Sequence, residues 1–527
     1  MEEKYIVALE IGSSKIKGAI GTVDSAGALS VKAVEEEKLA DVVRYGCIRN
    51  VVETANAIRT VIGRLEQREP GRTVTGVYVS VGGRSMMAQS IEIERRLPSE
   101  MEITNDLISD IINDALAYQL SERSIVGVTQ REFRVDNSPT NRPVGTFGSH
   151  VSARLNLISC RTQLVRNLNH VLDERLHIAI NDVFVRQVAE ADLVLFPEER
   201  RQGCMLVDFG AETTTVSIYK NDVMLYLSTI PMGSRNITRD ITALNYLEEM
   251  AEDLKIDGGN ALSTPEPVPT YSGKGFDFGQ INNYVSARAG EIIANINEHI
   301  KYAGLTPDRL PAGIILIGRG SKLNGFDRRL ENLTTLKVRF GTPGNRIRIL
   351  DGRVNSTEHV DVISILAEAA KSREIQECMT LPRTVAPAPE EFSYSQAHQQ
   401  QPAPQTGYQQ PLYRQPQQQP YQQAPAQQQM QQPAQQPAQQ PYQPAAQQVQ
   451  QPTQQAYQQP VNPYAHQAQS ITNATVQSQQ APQQQPYNPP AAPEKKSGFA
   501  KLLGSVRDRV VALMTEPVED DDVENDE

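Results

Sequence analysis

The chain has too few cysteines, too widely scattered, for a disulfide or zinc framework. Its four, Cys47, Cys160, Cys204 and Cys378, include no C-x-x-C pair and no metal-ligand spacing, so they read as reduced thiols. Long apolar runs are missing as well: no stretch approaches the roughly 18 continuous apolar residues that a membrane-spanning helix needs. The opening MEEKYIVALEIG has no basic segment ahead of an apolar one and does not read as a signal peptide. A cytoplasmic protein is the expectation. Charge itself is absent from one long segment. Between Phe392 and Pro493 the only formally charged side chain is Arg414, and Gln and Pro alternate in tracts that cannot build a core. Excess positive charge is lacking too. The formal net charge is −11, and residues 516–527 carry eight acids and no base, which leaves the rest at −3. Nothing in that balance suggests a nucleic-acid partner.

What is present is a block of mixed composition over residues 1 to about 380, enough for two sizeable lobes. YIVALEIG (5–12) is an apolar strand that stops at a glycine, and SSKIKGAIGTVD reads as the turn and second strand of a hairpin. TVTGVYVSVGG (73–83) is another strand ending in a glycine pair. From about 84 to 160 the pattern becomes self-contained: a strand at SMMAQSIEIER, a helix at TNDLISDIINDALAYQL, then strands around GVTQREFRV and GSHVSARLNLIS. This run reads as a small inserted α/β unit. RTQLVRNLNHVLDERL follows with apolar positions at helical spacing. At GCMLVDFGAETTTVSIYKNDVMLY (203–226) the opening grammar repeats, and AGIILIGRGSKLNG (312–325) supplies a third strand ending in a glycine-rich loop. Two such hairpins about 200 residues apart predict a duplicated α/β architecture with a cleft between its halves.

A phosphate chain needs backbone N–H groups that can approach closely, hydroxyls or a cation, and a carboxylate for its metal. The first loop offers Glu10, Gly12, Ser13, Ser14 and Lys17, the second Asp208, Gly210, Thr213 and Thr214. The third offers Gly318 and Gly320, suited to backbone lying against a base or ribose. Glu10 and Asp208 are the candidate metal carboxylates. One strand-then-glycine loop is an ordinary turn, whereas three in order, each ending an apolar strand, make a nucleotide cleft the better reading.

That triplet resembles the actin/Hsp70/sugar-kinase ATPase fold, and within it the FtsA family of bacterial cell-division proteins. ALEIGSSKIKG is similar to the family's first phosphate loop and VDFGAETTTVSIYKNDV to its second. AEDLKIDGGNA resembles the helix whose Glu252 and Lys255 would lie along ribose and adenine. VSARAGEII resembles a helix of the subdomain that receives the short tail of the tubulin-like protein FtsZ, where Arg288 either meets an acidic peptide or is a solvated helix arginine. The resemblance implies a first lobe at 1–202 carrying an inserted SHS2-type subdomain (about 84–162), and a second lobe at 203–380 with a smaller subdomain (about 246–305). Beyond them it places a Gln/Pro-rich linker at 381–493, an amphipathic membrane-targeting helix at 494–515 and an acidic tail at 516–527. It further implies ATP with Mg2+ as ligand, self-association into actin-like filaments, FtsZ and other division proteins as partners, and a peripheral position on the cytoplasmic face of the cell membrane at the division site. Two departures are expected to matter. Glu212 would place a carboxylate near the γ-phosphate, and Arg319 either stacks on adenine as a planar cation or is a solvated loop residue. No histidine or carboxylate pair stands out as a water-activating base, so rapid hydrolysis is not expected and no catalytic residue is assigned. A small-molecule kinase, a chaperone-type ATPase and an actin-like pilus-assembly protein are the alternatives on the same fold.

FAKLLGSVRDRVVALM (499–514) sets the membrane reading apart from those alternatives. At helical spacing Phe499, Leu502, Leu503, Val506, Val510, Leu513 and Met514 fall within an arc of about 120°. Arg507 and Arg509 flank that stripe and can raise their heads to phosphate. A helix of about 24 Å is too short to span a bilayer and suits its interface. The other reading is a helix docking in a groove on this protein or a partner.

Overall fold

The computed structural model describes residues 3–262, 276–372 and 374–381. The linker, the terminal helix and the acidic tail, with every residue assigned to lipid, lie outside the described residues. Strand Lys4–Ile11 is buried on both faces, as its unbroken apolar run requires, and turns at Gly12 into Lys15–Val23. Leu29–Lys38 completes an antiparallel meander, and Gly76–Val81 and Ala179–Val185 add two parallel strands on the other side of Lys4–Ile11.

The second half repeats this order. Val223–Ile230, Thr214–Lys220 and Cys204–Phe209 form the meander, and Ile314–Ile317 and Val338–Phe340 are the parallel strands. The predicted duplication is thus a duplication of sheet topology, and the fold is the actin-like ATPase fold. Two cores fill the lobes, and the first also takes Leu206, Leu227 and Ile315 from the second sheet. Ile6, Leu9, Ile20 and Ile58 belong to the first, Val207, Ile218, Ile293 and Phe326 to the second.

The inserted unit comprises strands Met87–Glu102, Arg123–Val135, Ser138–Thr140 and Phe147–Arg161 with helix Asn105–Leu116. That helix is capped by Thr104, whose hydroxyl accepts from Leu107 N at 3.3 Å, and lays Ile108, Ile111 and Ile112 on a third core around Phe133 and Leu155. The unit's sheet joins that of the second lobe edge to edge through Ser228 and Met87, giving nine strands in one sheet. Asn156 reinforces the join by donating to Met224 O at 2.7 Å. RTQLVRNLNHVLDERL forms a helix only over Thr162–Asn169, then widens into a π turn over His170–Arg175.

One boundary moves. The second lobe, expected to run to 380, ends earlier, because helix Val360–Ala370 returns to the first core. Val360, Ile363 and Leu366 pack there, and Cys378 N donates to Tyr5 O at 2.8 Å. VDVISILAEAA is apolar on so many sides that its pattern marks burial without saying in which core. Among the described residues no helix is long and apolar enough to cross a membrane.

Ile363→Ala should therefore destabilise the first lobe by about 2–5 kcal/mol, through lost transfer energy and the cavity left behind. Urea unfolding measures this, and a change below about 1 kcal/mol would mean that the helix is not part of that core.

Candidate functional site

Glu10 and Asp208 stand at matching places, each two residues before the glycine that turns its hairpin. Gly12 N donates to Lys15 O at 3.0 Å and Gly210 N to Thr213 O at 2.9 Å, so the two turns close the same way. A Cβ at Gly12 would lie 2.9 Å from Lys15 O, and one at Gly210 3.0 Å from Thr213 O, which is why both turns need glycine. Gly318, at φ +83°, brings the third loop against the second. A Cβ there would sit 2.5 Å from Phe209 O and 2.6 Å from an Asp208 carboxylate oxygen.

The cleft so formed has an empty volume of about 610 Å³, part of it open to solvent, within the range of small-molecule sites. It brings together Glu10, Gly12, Ser13, Ser14, Lys17, Asp208, Gly210, Thr213, Gly318 and Arg319. Thr214, Gly320, Glu252 and Lys255 do not line it. Thr214 donates its hydroxyl to Met232 O at 2.8 Å. Lys255 donates to Glu252 at 2.7 Å, to Thr238 Oγ1 at 3.0 Å and to Ser234 O at 3.2 Å, tying helix Glu248–Gly258 to helix Ser234–Ile241.

Three residues that the sequence reading passed over supply much of the chemistry. Arg186 begins the helix after strand Ala179–Val185, and its two terminal nitrogens donate to Glu10 Oε1 and Asp208 Oδ2, both at 2.8 Å. Asp361 pairs with Lys17, which also donates to Glu358 O at 3.3 Å. Glu190 lies 3.5 Å from Arg186 Nε and is buried with an oxygen that has no hydrogen-bond partner among the described residues. Two cations thus face four carboxylates. Burial pushes the Glu10 pKa up to about 7, with Asp361 adding to the rise and Arg186 and Lys17 opposing it. Burial also raises Asp208 and Glu190, against the pull of Arg186. For Asp361 burial is outweighed by Lys17, and its pKa falls. An arginine directly after a buried strand was the one available signal for Arg186. Asp361 had none, since it arrives on the returning helix.

Glu212, expected beside the γ-phosphate, lines the cleft with its oxygens already paired. The side chain is 1% exposed, accepts from Tyr45 N at 2.6 Å and meets Arg44 Nε at 2.8 Å, with Arg239 at 3.4 Å and Arg235 at 3.5 Å. Arg44 and Tyr45 belong to the first lobe, so Glu212 clasps the lobes together. Arg319 makes a second clasp, donating to Glu36 at 2.9 Å and to Glu358 at 3.1 Å. Arg288 is held by Asp240 at 2.6 and 3.1 Å and by Glu291 at 2.5 Å.

Residues 205–364 match the family model described as Cell division protein FtsA, and residues 83–159 match the SHS2 domain inserted in FTSA. The chain is 29% identical over 379 residues to the cell division protein FtsA of Porphyromonas gingivalis, covering 69% of this chain and 78% of that protein. Over these residues the chain is similar to the FtsA family. The cell division protein FtsA of Pseudomonas aeruginosa is 25% identical over 356 residues, covering 64% of this chain and 83% of its own. Among solved structures, a chain of a PilM-PilN type IV pilus biogenesis complex superposes with a TM-score of 0.51 at 15% identity, over 70% of this chain and 99% of that one, a likeness of fold alone. The inserted unit found here is the one that the FtsA-family domain model describes.

Magnesium was expected on Glu10 and Asp208. Both carboxylates are bridged by the Arg186 guanidinium, and no group of three or more acidic, His or Cys side chains among the described residues is arranged to hold a metal. The residues present do not fit a divalent ion held between those two carboxylates.

An acid whose pKa is raised by folding stabilises the native state while protonated. For Glu10 that contribution is complete below its ordinary value of 4.5 and is lost as pH rises to about 7. Glu10→Gln, neutral throughout, should lose less stability over that window than wild type. Urea midpoints across the pH series check this, and parallel curves would contradict it.

Proposed function

We propose that the protein binds ATP between its two lobes, self-associates into actin-like filaments and fastens FtsZ filaments to the inner face of the cytoplasmic membrane at the division site. The observation that carries the nucleotide part is the pair of like glycine turns at the two strand ends, at Gly12 and Gly210, with the Gly318 loop packed on the second. A phosphate chain between such turns meets backbone N–H groups from both lobes at once. Ser14 and Thr213 line the same space. Similarity to the FtsA family supports the division role, and the alternating strands and glycines of the block argue for no enzyme in particular.

Membrane attachment is assigned to the apolar stripe of residues 499–514. Large side chains fully buried contribute roughly 1.5–3 kcal/mol each, less at an interface, so seven of them suffice for reversible binding. A flexible linker of about 110 residues has an r.m.s. span of roughly 60 Å, enough to hold a filament away from the bilayer. Arg288, engaged by Asp240 and Glu291, can receive the acidic FtsZ tail only by exchanging one carboxylate for another.

Co-sedimentation of the full chain with liposomes and FtsZ, with and without ATP, tests this reading. Wild type should carry FtsZ to the pellet. Val506→Glu, which places a carboxylate in the middle of the stripe, should leave both proteins in the supernatant while retaining ATP affinity. Gly210→Val should lower ATP affinity by tenfold or more, about 1.4 kcal/mol, without loss of liposome binding. Pelleting of Val506→Glu at wild-type levels would exclude the helix face as the anchor.

A further inference from the structure

We propose that Arg186 takes the place of the divalent ion in this cleft, so that the phosphate chain of a nucleotide binds without a metal between Glu10 and Asp208. The inference rests on the nucleotide reading above. Its ground is the position of one side chain. The ends of the two hairpin strands offer one carboxylate each, and the planar guanidinium spans them with a separate N–H for each, both at 2.8 Å. Such forked, charge-assisted bonds are among the strongest a side chain makes.

A magnesium ion there would need the same oxygens at about 2.1 Å in near-octahedral array. Arg186 would have to swing into the open part of the cleft, which it lines, and give up both carboxylates. Its side chain is 13% exposed, Gly82 packs so closely that a Cβ there would be 3.3 Å from the guanidinium carbon, and its remaining neighbour is Glu190 at 3.5 Å. Displacing the buried guanidinium leaves the arginine without its two carboxylate partners, a cost that the incoming ion would have to offset. An arginine is always charged and needs no ion concentration to stay in place. The cleft then carries its own fixed positive charge, and nucleotide occupancy is uncoupled from free magnesium.

Calorimetric titration of the full chain with ATP, in excess Mg2+ and in excess EDTA, tests this without any substitution. The two Kd values should agree within about threefold. Mn2+ alone, followed by its EPR signal, should show no ion bound by wild type. In Arg186→Gln the carboxylates are released: Mn2+ should bind, and ATP affinity should become at least tenfold better with Mg2+ than with EDTA. Arg186→Lys, which keeps the charge but not the fork, should fall between. Should Arg186→Gln not fold, the wild-type titrations and the Mn2+ arm still decide. A wild-type affinity that collapses in EDTA, or Mn2+ bound stoichiometrically by wild type, overturns the inference and leaves the nucleotide reading standing. Absence of ATP binding in both buffers overturns the two together.

Discussion

The first strand of each lobe carries an acid as its penultimate residue, and the repeated hairpin brings those two acids to opposite walls of one cleft. Two carboxylates buried so close would drive the lobes apart unless something positive stood between them. Arg186 does so, with one bond to its own lobe at Glu10 and one to the other at Asp208. The rest of the closed arrangement depends on this tie. Around it, Lys17 balances Asp361 within the first lobe, while Glu212 and Arg319 carry ion pairs between the lobes. Removing one partner from a buried set of this kind is expensive, and Glu212, 1% exposed, belongs to such a set, whereas the Arg319–Glu36 pair is wetter and weaker.

The second consequence concerns how the lobes differ. The first lobe is sealed by its own C-terminal return, with Cys378 bonded to Tyr5 and helix Val360–Ala370 packed on the sheet. The second lobe instead continues into the inserted unit through one residue pair and the Asn156 bond. The inserted unit keeps a core of its own around Phe133 and also sends Val126 and Ile158 into the first core.

Much of this was legible in the sequence, for identifiable reasons. The strands before Gly12, Gly210 and Gly318 are apolar runs ended by residues that only a tight turn requires, and local signals of that kind survive without three-dimensional knowledge. The inserted unit was visible as a self-contained alternation of strands and a helix. The partners of the charged loop residues were not legible. Glu212 follows a phosphate-type loop in sequence yet points to Arg44 and Tyr45, about 170 positions earlier. Arg319 lies between two loop glycines yet pairs with Glu36, and Arg288 pairs with Asp240. Arg186 and Asp361 lie on segments whose patterns announce only a helix start, and their role arises from contacts between distant parts of the chain. Pairing of charges is a tertiary property, and a single sequence gives composition without partners.

The central claim, that a phosphate chain lodges between the two hairpin turns, is tested most directly by hydrogen–deuterium exchange of the full chain with and without ATP. The amides of Gly12–Ser14, Gly210–Thr213 and Gly318–Gly320 should all slow on adding ATP, because each loop then donates to, or is packed against, the bound nucleotide. Slowing in one lobe only, or protection confined to other surfaces, would contradict a site built from both halves of the duplicated fold.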